Sequence, residues 1–170
     1  MTLLHVFLAL LFLLSRASAQ QGDVDAAWAN LDSPDASVRD AARKKIETEP
    51  LSSWRARAIG ETRLWASIEA LLALCHACPL SEGPALRPHL CESITTLRIE
   101  EMSAEQTLDA IRLTRLVCTR FGEPTEDERR QMIDLWSRFV PSPTAEKQTP
   151  DQRKIASELK ELVSLLAAAH

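Results

Sequence analysis

The segment Leu31-Asp32-Ser33-Pro34-Asp35 interrupts two apolar stripes of helical spacing, and that interruption constrains the fold more than any other feature of the chain. Pro34 disfavours helical geometry at Ser33, while Asp35 or Ser33 offers a side-chain oxygen to the free amides of the next helical turn. The stripe before it is Val24, Ala27, Trp28 and Leu31, and the stripe after it is Val38, Ala41, Ala42 and Ile46. The pattern predicts a helix from Asp23 or Val24 to Leu31 and a second from near Asp35. A pair of short amphipathic helices cannot bury its apolar face alone, so further pairs must stack on it.

The remaining helices are announced by their ends. Pro50 suits a first helical position and opens a third helix carrying Trp54, Ala58 and Ile59, which Gly60 breaks. A fourth is predicted from Glu61 to about Ala77, with Leu64, Ile68, Leu71, Leu72 and Cys75 on its inner face and Glu69 and His76 to one side. Shifting the first pair by 26 residues sets Trp28 on Trp54, Val38 on Leu64, Ala42 on Ile68 and Ile46 on Leu72, which suggests a repeat. A fifth helix with Leu86, Leu90, Ile94 and Leu97 follows the Ser81-Glu82-Gly83-Pro84 turn and runs to about Arg98. Ser103 with Gln106 and Thr125 with Glu128 are capping boxes. They open a sixth helix to Phe121, closed by Gly122, and a seventh with Met132, Leu135, Trp136 and Phe139, ended by Pro141-Ser142-Pro143. Thr149-Pro150-Asp151-Gln152 starts the eighth, with Ile155, Leu159, Leu162, Val163 and Leu166 inside. The fold class read from this pattern is all-α, with about eight helices in four antiparallel pairs stacked as a short α-solenoid.

Residues 1–19 have the layout of a signal peptide: an apolar run from Leu3 to Leu14, then Ser15-Arg16 and Ala17-Ser18-Ala19. Twelve apolar residues are too few for a helix crossing a bilayer, which needs roughly 20. Cleavage after Ala19 is expected to leave 20–170 as a single helical domain, exported to the periplasm or secreted and not held in a membrane. Losing Arg16 leaves 19 basic against 24 acidic residues, a charge of −5. The early cations Arg39, Arg43, Lys44, Lys45, Arg55, Arg57 and Arg63 are interleaved with acids, which argues against a nucleic-acid partner. No Tyr, four Gly and abundant Ala, Leu, Arg and Glu favour helix over sheet.

The inter-helix turn with Val38-Arg39 and Ala41-Ala42 resembles a HEAT repeat of the shorter bacterial kind. With Trp54-Arg55-Ala56-Arg57-Ala58, Glu61-Thr62-Arg63 and Ile68 to Leu74, residues 24–78 are similar to the HEAT segment of large exported planctomycete-type dehydrogenases, which adjoins a c-type cytochrome. The resemblance implies a helical spacer and contact surface, or an accessory subunit of such a complex. It carries over no cofactor, because Cys75-His76-Ala77-Cys78 is followed by Pro79 and not by the His of a haem attachment sequence.

Four cysteines follow the leader: Cys75, Cys78, Cys91 and Cys118. An even number in an exported chain raises disulfides among them, with three possible pairings. A zinc reading takes Cys75, Cys78, His89 and Cys91, although residues 89 and 91 diverge on a helix. A redox reading of Cys75 and Cys78 meets the electrostatics of a helix C-terminus, whose negative end opposes thiolate formation. Adjacent acids at Glu100-Glu101 and Glu126-Asp127-Glu128 fit capping, and His76, His89 and His170 lack a nucleophile beside them. The expected function is therefore non-catalytic: binding of a protein partner through the surface of the second helices. Arg39, Arg43 and Arg63 are the candidate contact residues, with pairing to Asp32 or Asp35 as the alternative use of their charge.

Overall fold

A computed structural model describes residues 22–140 and 148–168, so the leader, the Pro141-Ser142-Pro143 stop and His170 lie outside the described residues. Those residues form eight α-helices and no strand: α1 (22–30), α2 (Ala36–Glu47), α3 (Leu51–Ile59), α4 (Leu64–Ala77), α5 (Gly83–Thr95), α6 (Ala104–Arg120), α7 (Glu126–Ser137) and α8 (Pro150–Ala168). Short 3₁₀ turns at Leu80–Glu82 and Ile99–Glu101 precede α5 and α6.

The helices build two layers. In one, α2, α4, α6 and α8 lie in a row, each packed on the next; in the other, α3, α5 and α7 do the same. Sequence neighbours α3 and α4, α5 and α6, and α7 and α8 pack across the layers, as in a helical solenoid. One core runs through the stack from Val24 to Leu166, with Trp28, Trp54 and Trp136 fully buried in it.

Local chemistry sets the helix starts. Asp35 caps α2 by accepting from the Ser37 amide at 2.8 Å. Both capping boxes form at α6 and α7, and Thr149 and Gln152 bond reciprocally ahead of α8. Gly122, with φ of 85°, makes the left-handed turn after α6 that a side chain would oppose. Gly83 is required for space, since a Cβ there would stand 2.4 Å from the Phe121 ring.

Several expectations are corrected. α4 starts at Leu64 and not at Glu61, and α5 stops at Thr95, leaving Leu97 in the loop after it. The inner face of α2 is Arg39, Ala42 and Ile46, while Val38 and Ala41 are exposed. α2 and α4 start 28 positions apart, against the 26-residue offset of the sequence match. Finally, α4 is buried almost all round, since α2, α3 and α6 all pack on it.

Candidate functional site

Glu69 and His76, set aside from the apolar stripe of α4, face α2 and organise a charged cluster there. Arg39 lies at its centre. Its Nη1 donates to the carbonyls of Ser33 (2.9 Å) and Pro34 (3.2 Å), so the side chain ties α2 back to the turn that precedes it. Its Nη2 donates to Glu105 on α6 at 3.0 Å, its Nε lies 3.5 Å from Glu69, and the guanidinium sits 3.4 Å over the Trp65 ring. A planar cation with a weak hydration shell suits this half-aromatic, half-ionic setting.

Arg43, one turn on, places Nε 2.9 Å from the other Glu69 oxygen, donates to Glu47 at 3.1 Å and pairs with Asp40. The Nδ1 of His76 lies 3.1 Å from Arg43 and 2.9 Å from Glu47. That one nitrogen can accept from the guanidinium or donate to the carboxylate, according to its tautomer, and cannot do both. Burial pushes the Glu69 carboxyl up, and Arg43 and Arg39 oppose the shift.

Arg63 stands apart from this cluster. It grips Glu61 through two bonds, Nε to Oε1 at 3.1 Å and Nη2 to Oε2 at 2.8 Å, and Trp28 Nε1 donates to the same carboxylate at 2.7 Å. Its guanidinium holds the Glu61 carboxyl down at about 2, with backbone amides and Trp28 adding to the effect.

Of the three arginines expected on a contact surface, Arg39 is buried, 2% exposed, and both of its Nη atoms donate inside the fold. It is not a surface residue. Arg43 is mostly covered, and Arg63 is partly exposed but clamped. The direct ion pairs fall on Glu69, Glu105, Glu47, Asp40 and Glu61, while Asp32 acts on Arg63, and Arg39 on Asp35, only by longer-range attraction. Sequence could not select those partners, which lie up to 66 residues away.

The thiols are elsewhere in the stack. Cys75, Cys78 and Cys91 are buried and Cys118 half-buried, and all four are free, with no disulfide among the described residues. Burial pushes the Cys75 and Cys91 thiols up to about 12 and Cys118 to about 11, and raises Cys78 as well. His89 is exposed on α5 and lines an open groove with Arg55 and Glu82, turned away from the buried cysteines. No group of three or more His, Cys, Asp or Glu among the described residues is placed to hold a metal ion, so the set Cys75, Cys78, His89 and Cys91 does not assemble. The cause is the one visible in the spacing: positions 89 and 91 leave the helix in different directions.

No family model, curated protein or solved structure matches this chain. Its chemistry has to be read from these contacts alone. The cluster of α2, α4 and α6 sets two guanidiniums, Arg39 and Arg43, among four carboxylates, Asp40, Glu47, Glu69 and Glu105, with no Ser or Cys among them. Among the described residues no single helix is long and apolar enough to cross a membrane.

Proposed function

We propose that this is an exported, non-catalytic helical-repeat protein that works by binding another protein through the row of its second helices. The observation that carries the reading is the side-by-side packing of α2, α4, α6 and α8, which makes one continuous surface from four separated parts of the sequence. Along it, half-buried Trp65, Leu72 and Leu116 alternate with the ion pairs of Asp40, Arg43, Glu47, Asp109 and Arg112, the mixture of apolar and charged groups that protein contacts use. The buried thiols favour the same reading. A thiol near 12 stays protonated at neutral pH and is a poor nucleophile.

The test uses residues 20–170 as bait against the exported proteins of the parent cell, beside a variant with Lys44→Glu and Arg112→Glu. Both side chains are exposed and pair only within their own helices. A stoichiometric partner captured by the parent and lost by the variant is the expected result. Equal capture by both, stoichiometric zinc in the purified protein, or a readily cycled Cys75–Cys78 bond would overturn it.

A further inference from the structure

The contacts of His76 cannot all be satisfied in one protonation state. Its Nδ1, Nη1 of Arg43 and Oε1 of Glu47 form a triangle: Nδ1 to Nη1 is 3.1 Å, Nδ1 to Oε1 is 2.9 Å and Nη1 to Oε1 is 3.1 Å. Nη1 carries two hydrogens and has two acceptors within reach when the ring is neutral with its proton on Nε2: one hydrogen goes to Glu47 and the other to Nδ1. That state engages the guanidinium fully but sets the Nδ1 lone pair against the carboxylate. A ring protonated on both nitrogens reverses the balance. It donates from Nδ1 to Glu47 and is repelled by Arg43.

The charges around this triangle are paired with one another. On α2, Asp40 takes Arg43 and Lys44, and Lys45 turns to Glu49 and Asp23; on α4, Glu69 lies between Arg39 and Arg43. On α6, which also packs on α4, Glu105 takes Arg39, Asp109 and Arg112 pair together, Arg115 reaches Glu158 on α8 and Arg120 donates to the Cys78 carbonyl. The α3 arginines, Arg55 and Arg57, pair with Glu82 and Asp25. Among the described residues only Arg43 and Glu47 bond the imidazole.

We propose that His76 is a proton-controlled contact between α2 and α4, bonded to Arg43 when neutral and to Glu47 when protonated. The proton comes from water and binds at Nδ1; the Nη1–H to Nδ1 bond breaks, an Nδ1–H to Oε1 bond forms, and the ring gains one positive charge. The side chain is 44% exposed, so it exchanges protons with solvent directly. Arg43 keeps Glu47, Asp40 and Glu69, so it gives up one bond and stays in place while Glu47 bridges two cations. The result is a cation that appears on the α2–α4 row as pH falls through the range in which histidine charges. The inference stands on these contacts and does not rest on the partner reading above.

Imidazole nitrogen shifts of the full chain, followed by NMR from about pH 8.5 to about pH 5 with His76→Gln to assign the signal, test it. A proton on Nε2 and a bare Nδ1 are expected at the upper end, with Nδ1 becoming protonated as pH falls. Glu47→Gln should lower the proton affinity of the ring about threefold and Arg43→Gln should raise it by about as much, the scale of a partly exposed ion pair. Helicity reports that each variant is folded, and the tautomer of the parent protein tests the proposal without either. A proton on Nδ1 at the upper end of the range, or a ring whose titration ignores both substitutions, would overturn it.

Discussion

Glu61 is the residue whose surroundings most depart from what its neighbours in sequence suggest. Its carboxylate accepts from the Thr62 and Arg63 amides at 3.0 and 3.1 Å, from both ends of the Arg63 guanidinium, and from Trp28 on α1. All of these favour the charged form. Because the folded value, about 2, lies below the ordinary 4.5, the unfolded chain binds the proton first as pH falls. The contribution of Glu61 to stability is complete above pH about 4.5 and drains away between there and pH 2. Urea midpoints taken from pH 5 down to pH 2 should therefore fall, and Glu61→Gln should be less stable at pH 5 and show a shallower fall. Parallel slopes would show that Glu61 is not the group titrating. The Glu61–Arg63 pair could be suspected from spacing; the Trp28 donor, 33 residues away, could not.

At the scale of the element, starts were more legible than faces. The α6 and α7 capping boxes were readable because the bonds that make them span three residues and need nothing from the rest of the fold. Removing the hydroxyl at the α6 cap, Ser103→Ala, should cost about 1 kcal/mol in urea unfolding, since the amide of Gln106 loses its acceptor beside a buried turn. A cost near zero would mean that water replaces the cap. The start of α4 was misjudged by three residues for the opposite reason: Glu61 takes the amides of Thr62 and Arg63 and keeps the chain out of the helix until Leu64. On α2 the spacing marked a stripe but could not say that half of it would be left at the open end of a row.

At the scale of the molecule, Arg39 joins three helices and a turn. Deleting its charge leaves Glu69 buried with Arg43 alone and leaves Glu105 and the Ser33 carbonyl without their donor. Arg39→Leu should destabilise the protein by about 3 kcal/mol, and Glu69→Leu in the same background should recover part of the loss, because breaking a buried pair costs more than replacing it with apolar groups. Additive losses in a double-mutant cycle would refute the coupling. The sequence by itself determined the helical class and the caps of α2, α6, α7 and α8, since each follows from bonds or periodicities within a few residues. Only the tertiary structure decided which charges are inside, where the stack ends and which apolar stripe is left over. Those depend on contacts between helices 30 to 60 positions apart, and a cation followed by acids reads the same in one dimension whether it faces water or a tryptophan ring.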